Sequence, residues 1–221
     1  MKAAVKTNDL KELKEQIAAL TAMLEKAKKP RKRKGPEEIK YFTQDEISRL
    51  FAMIKSPRDR AIFRVGYHHG LRASEIGLLQ LSHYRVKSGR LYVTRLKGSN
   101  SGEYKMPKNA RQALDAWLEV RGYGDGVLFP SRFRKGISEQ MLDVLMKRYG
   151  AAAGLRPELC HFHTLKHSCG THLMEGGPGR PRMDMAAVQD WMGHVNPQST
   201  AVYAKITNRV RDEVGVSIAS W

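Results

Sequence analysis

Between residues 8 and 27 the apolar positions Leu10, Leu13, Ile17, Leu20 and Leu24 recur at alternating spacings of three and four, with Glu, Lys and Gln among the positions between them. That spacing lays an a/d seam along one side of a helix, suited either to self-association or to packing on a body. The pattern breaks from Lys26 to Lys34, where seven of nine residues are basic and Pro30 interrupts, the composition of a linker. From residue 41 the chain reads as helices around a small strand pair. Thr43 and Glu46 form a capping box ahead of Ile47, Leu50, Phe51 and Ile54, and Ser56-Pro57 opens a second helix that Gly70 can close. A short helix follows at Ala73 to Leu79. Arg90 to Leu96 then alternates like a strand, and the turn Gly98 to Gly102 returns it through Glu103 to Met106 as a hairpin. Helical spacing predicts further helices over about 108–121, 138–153, 164–175, 184–192 and 207–219. No internal repeat is visible, and periodicity alone says only that the chain is mostly α.

The 221 residues, 41% hydrophobic and 28% charged, suffice for one packed domain with some chain left over. No apolar run approaches the roughly 18 residues that would span a bilayer, and the Lys-rich start has no apolar signal core, so a cytoplasmic protein without a membrane partner is expected. The two cysteines, Cys160 and Cys169, are expected to be reduced thiols. Charge changes the picture most, at a formal +17. Residues 1–40 hold 12 Lys or Arg against 6 Asp or Glu, which leaves 27 against 16 on the remainder, so the body is basic in its own right. Nucleic acid is the partner this balance fits, because displacing counterions from a phosphate backbone drives association. The basic arm, with Lys28, Lys29, Arg31, Lys32, Arg33 and Lys34, is expected to lie on DNA or to remain disordered. Arg95 on the hairpin is a further expected DNA contact, and Arg180 and Arg182, in the Gly-Pro-rich stretch from Gly177 to Met183, either add DNA contacts or belong to a solvated loop.

Several polar residues stand in settings that suit phosphoryl transfer. Arg72 follows Gly70 in His69-Gly-Leu-Arg-Ala-Ser-Glu75, where a guanidinium fork can meet a phosphate. Lys97 sits at the hairpin tip. His163 and Lys166, three apart in His163-Thr-Leu-Lys-His-Ser168, share one side of a helix start. His194 lies just past a helix end, with Tyr203 nine residues later. Singly each has a bland explanation: Arg72 a surface pair with Glu75, Lys97 a turn lysine, His194 a cap, Tyr203 a half-buried aromatic. A zinc site is the rival reading of Cys160, His161, His163, His167, Cys169 and His172, but finger and metalloprotease spacings are absent and no metal is expected. Cys169 and Leu173 are expected to pack inward.

Taken in order, these residues resemble the active site of the tyrosine recombinase and phage integrase family, whose signature is Arg, Lys, His-x-x-Arg, His or Trp, then Tyr. The likeness covers residues 41 to about 212 and is carried by Gly-Leu-Arg-Ala-Ser-Glu, His-Thr-Leu-Lys-His-Ser, and Gly-His with Thr200 and Tyr203. It implies a mainly α fold with a small antiparallel β-sheet, the catalytic domain shared in outline with type IB topoisomerases. The layout is similar to the short recombinases that invert fimbrial promoters. It divides the chain into an N-terminal helix (1–28), a basic linker (29–40), the catalytic domain (41–212) and a C-terminal element (213–221) that would pass between protomers. The 40 leading residues are too few for the family's separate core-binding domain. Two departures stand out: Lys166 occupies the place of the family's second arginine, and the stretch 177–183 is longer than usual.

The resemblance implies that Tyr203 attacks a DNA phosphate to give a 3′-phosphotyrosyl link, with Arg72, Lys166 and His194 on the non-bridging oxygens. His163 would serve as general base or acid, and Lys97 would protonate the departing 5′ oxygen. A cationic pocket would favour the Tyr203 phenolate. Double-stranded DNA is the expected partner, a tetramer on DNA the expected assembly, and neither ATP nor a cofactor is needed. The alternatives are a recombinase-like DNA-binding accessory protein weakened at Lys166, and a topoisomerase-like relaxing enzyme. At a bidentate site the exchange of Arg for Lys loses one oriented donor, about a hundredfold in rate.

Overall fold

The computed structural model describes residues 14–21, 23, 39–177, 179–204, 215, 216, 218 and 219, in two compact units divided after Glu38. In the first unit residues 14–21 are helical, with Ile17, Leu20 and Met23 exposed. The basic linker, including Lys28 to Lys34, lies outside the described residues, as does most of the predicted helix 207–219.

The second unit runs α1 (Gln44–Met53), α2 (Pro57–His68), α3 (Ala73–Ile76), β1 (Tyr84–Arg85), β2 (Arg90–Val93), β3 (Gly102–Lys105), α4 (Lys108–Arg121), α5 (Glu139–Ala152), α6 (His163–Glu175), α7 (Met185–Met192) and α8 (Gln198–Ala201). The expectation of a mainly α protein with a small antiparallel sheet holds, with the strands in the order β1-β2-β3. The capping box is present: Thr43 accepts from the Glu46 amide, and Glu46 accepts from the Thr43 amide. Ser56 caps α2 by accepting from the Asp59 amide, without a reciprocal bond. Helix α2 is the central beam, burying Ala61, Ile62, Phe63, Val65 and Tyr67 and packing against α4 and α6. Gly66 lets α2 approach Phe162 at the root of α6, since a Cβ there would lie 2.9 Å from the ring.

Two expectations change. The sheet has a third strand, β1, of only two residues, too short to show alternation. The predicted strand 90–96 ends at Val93, because the backbone beyond is held by side chains instead of a ladder: the Arg95 amide donates to Ser101 Oγ (2.9 Å) and the Leu96 amide to Glu75 Oε1 (3.1 Å).

Arg95 is corrected outright as a DNA contact. Its side chain is fully buried, with one terminal nitrogen donating to Gly70 O (3.0 Å) and Glu75 Oε2 (3.4 Å) and the other to His69 O (2.8 Å) and Trp191 O (3.0 Å). A guanidinium so enclosed has no face left for a phosphate. It instead joins the end of α2, the start of α3, the β2–β3 loop and the end of α7. Truncating one member of a buried charge pair leaves the other charge and several carbonyls unpaired. Arg95→Leu is therefore expected to lower unfolding free energy by about 3–5 kcal/mol in urea titrations, and a loss below 1 kcal/mol would contradict the role assigned to it.

Buried histidines set the acid limit of the fold. Burial pushes His68 down to about 3 and both His69 and His172 to about 4, so all three rings are neutral near pH 7. In the unfolded chain such rings take up protons near pH 6.5. The folded protein resists until about pH 4, so acid favours unfolding: stability is full above about 6.5 and declines as pH falls towards 4. Melting temperature, followed by circular dichroism from pH 7.5 to 4.5, should drop steadily over that window; a flat profile would count against buried neutral rings.

Candidate active site

The site begins at the end of α2. Gly70 adopts φ +56, and a Cβ there would come within 2.4 Å of Met192 Sδ, so glycine both ends the helix and admits α7. Two residues on, Arg72 caps α3. Its amide donates to Glu75 Oε2 (2.8 Å), and its Nη1 donates to Glu75 Oε1 (2.7 Å), Leu96 O (3.2 Å) and Ser99 Oγ (3.2 Å). Glu75 is fully buried, and bonds from Arg72 and Leu96 hold its carboxyl below the ordinary range against the opposing effect of burial. The Arg72 side chain keeps 24% exposure, leaving part of the fork open to solvent.

Lys166, on α6, is buried and donates to Gly70 O at 3.0 Å, the carbonyl that Arg95 also uses. Burial, with Arg95 and Arg72 nearby, pushes its ammonium down to about 7. His194 follows the left-handed Gly193 that closes α7, and its Nδ1 lies 2.9 Å from Thr200 Oγ1. Burial first, then Lys166, Arg72 and Arg95, push it down to about 4, so it stands as a neutral hydrogen-bonding ring at pH 7.

Tyr203 sits on a 3-10 turn, Val202–Ala204, and is buried. Its ring lies against Gly170 on α6, where a Cβ would fall 2.5 Å from the ring, and stacks on His194 with centroids 6.2 Å apart. The phenol oxygen is 3.3 Å from His167 Nδ1. Burial pushes the phenol up, more than Arg72 pulls it down. The expected phenolate-favouring pocket is thus corrected: in the free protein desolvation outweighs the nearby cation and the phenol stays protonated.

Arg72, Lys166, His194 and Tyr203 therefore share one neighbourhood. Lys97 joins them through its loop, which the Asn100 amide ties to Gly193 O (2.8 Å). It is exposed, at φ +57, between Leu96 and Ser99, both bonded to Arg72. His163, exposed at the start of α6, is one step removed: its ring meets His167 edge-on at 5.5 Å, and His167 meets the phenol. His167 is the residue that sequence reasoning missed, its signal being only the one-turn spacing from His163. Arg180 and Arg182 are exposed. Arg180 borders a cavity of about 400 Å³ with Tyr67, His68 and Trp191, while Arg182 donates to Glu175 O (3.2 Å). Cys169 is buried and Leu173 packs on the core, as expected. Among the described residues no three His, Cys, Asp or Glu side chains converge as a metal site would require.

Residues 40–209 match the Phage integrase family. The tyrosine recombinase XerC of Escherichia coli O157:H7 is 33% identical over 183 residues, covering 78% of this chain and 58% of the relative, so the chain spans under two thirds of the relatives it matches. Among solved structures, XerA recombinase superposes with a TM-score of 0.69 at 24% identity, over 83% of this chain and 66% of the other. The XerH site-specific recombinase bound to palindromic difH substrate gives 0.69 at 20%, over 86% and 56%. A lambda integrase dimer bound to a COC′ core site gives 0.61 at 19%, over 79% and 50%. These structures share the fold, and the sequence match spans the whole of the Arg72-to-Tyr203 constellation: the chain belongs to the phage integrase family, as a tyrosine recombinase catalytic domain.

Proposed function

We propose that the protein is a site-specific recombinase that cuts and rejoins double-stranded DNA through a covalent link at Tyr203. The observation that carries this reading is the Tyr203 phenol, enclosed within its own chain by His167 and His194 and within the field of Arg72. A phosphodiester resists attack because its oxygens carry negative charge, so donors must be fixed around the phosphorus before the nucleophile arrives. Arg72 offers the open part of its fork, Lys166 its ammonium, and His194 a neutral N–H, which lies on Nε2 when Thr200 donates to Nδ1. The Tyr203 proton passes to His167, whose Nδ1 meets the phenol and which burial, with His163 and Lys166 nearby, pushes down to about 4 so that it starts neutral and able to accept. As the phenol oxygen bonds to phosphorus the 5′ oxygen departs, taking a proton from Lys97. The products are a 3′-phosphotyrosyl link and a free 5′ hydroxyl. One phosphodiester replaces another, so a 5′ hydroxyl from a second strand reverses the step and the energetics require no nucleotide.

Likeness to the XerH complex and the lambda integrase dimer supports DNA as partner and work in several copies, which we take as a tetramer on paired sites. No described helix is long and apolar enough to cross a membrane, in keeping with a DNA-associated protein of the cytoplasm. Incubation with nicked duplexes from the DNA flanking its gene should yield an adduct stable to detergent, carried on a 3′ phosphate and abolished by Tyr203→Phe. An adduct that survives that substitution would sink the assignment.

A second reading, a DNA-binding protein with weakened chemistry, is favoured by one observation: Lys166 is tied to Gly70 O with its ammonium pushed down to about 7. The group is charged below that pH and neutral above it, whereas arginine stays charged throughout. Lys166→Arg is expected to raise the rate of adduct formation by about ten- to a hundredfold, with the gain widening from pH 6 to pH 9. A gain flat across that range would mean that Lys166 keeps its charge.

A further inference from the structure

The described chain has two non-glycine residues in the left-handed region, Lys97 (φ 57) and Arg134 (φ 59). Both are cations on exposed loops, and both loops are fastened to the short helix α3. The Lys97 loop is bonded to Arg72 and Glu75 at its start. The turn Ser131–Gly136 is clasped at its other end: a Cβ on Gly136 would fall 1.9 Å from Gly77 O, and one on Gly77 would fall 2.7 Å from Ile137 O. Such backbone conformations persist where the surroundings enforce them, and they cluster at functional sites.

The turn is closed by the Ser131 amide on Lys135 O (2.6 Å) and the Arg134 amide on Ser131 O (3.0 Å), with Pro130 and Gly136 paired across its base. Its tip presents Arg132, Phe133, Arg134 and Lys135, all exposed. Phe133 is 70% exposed, with the Arg132 guanidinium 4.6 Å above its ring. None of the three cations makes a side-chain ion pair or hydrogen bond among the described residues. A lone exposed phenylalanine is ordinary. One held on a constrained turn among three cations without an acidic partner among the described residues, Arg132 lying over its ring, is an apolar surface set in a field for phosphate beside the helix that Arg72 caps. At about 1.5 Å of rise per residue, Gly77, against which the base of the turn packs, lies roughly 7 Å along α3 from Arg72.

We infer that the turn Arg132–Lys135 is a second DNA contact flanking the cleavage site, its cations on backbone phosphates and Phe133 against a sugar or base edge in the groove. The contact rests on the recombinase reading for its ligand, duplex DNA, but not on the chemistry at Tyr203. The test uses the full chain and a fluorescent duplex carrying its site, with affinity measured from 50 to 300 mM salt. Neutralising the turn (Arg132→Gln, Arg134→Asn, Lys135→Gln, asparagine being tolerant of positive φ) should reduce the slope of log affinity against log salt by about 2.7, given about 0.9 for each of three phosphates. Phe133→Ala should weaken binding by roughly tenfold, the loss expected when a phenylalanine buried against a sugar or base edge is removed, while leaving that slope unchanged. Wild-type melting temperatures in these exposed variants exclude unfolding as the cause. An unchanged slope in the triple variant, or wild-type affinity in Phe133→Ala, overturns the inference. A wild type that binds through the turn yet forms no adduct would overturn the recombinase reading and leave the contact standing. Adduct formation unaltered in turn variants that bind like wild type would do the reverse.

Discussion

The Glu75 carboxylate has no contact with solvent, yet Arg72, Arg95 and the Leu96 amide all point their N–H groups at it. A buried anion is tolerated only when its lone pairs are met, and here they are met by two arginines of opposite duty: one sealed in the core, the other with part of its fork outside. The orientation of Arg72 is thereby fixed before any phosphate arrives. The same knot positions the rest. Arg95 reaches on to the carbonyls of His69, Gly70 and Trp191, and Asn100 hooks the β2–β3 loop onto Gly193 beside His194. Parts of the site far apart in the chain are thus cross-linked by hydrogen bonds in a water-poor interior, where such bonds are strongest.

Much of this was legible in the order of residues. Capping chemistry at Thr43 and Glu46, and the apolar spacing that marks Lys108–Arg121, are local signals, and local signals survive in a bare sequence. The residues around Tyr203 were legible for another reason: each had a bland explanation singly, but their order and neighbours, Gly70 before Arg72 and Gly193 before His194 among them, together resemble a known family's signature. Arg95 was misread because most of its partners are carbonyls, at His69-Gly70 and at the distant Trp191, and no side-chain pattern announces a carbonyl. His167 was passed over because a one-turn spacing says nothing of what meets the ring. The protonation of the phenol was misjudged because charge can be counted from a sequence, whereas desolvation depends on Gly170 and on how closely the final turn approaches α6.

The exchange at Lys166 bears on the same knot. Gly70 O receives both Lys166 and Arg95, so two cations converge on one carbonyl dipole beside a third, Arg72. In this crowd an ammonium yields its proton more readily than a guanidinium, since its charge is compact and costly to desolvate. Lysine therefore gives this protein a site whose net charge varies across the physiological range.

Tyr203 rests on Gly170 of its own chain. If the phenol reacts from that seat, the subunit gripping a given phosphate is also the one that becomes fastened to it. On the recombinase reading proposed above, a copy that has lost this phenol would then leave the phosphate it grips uncut.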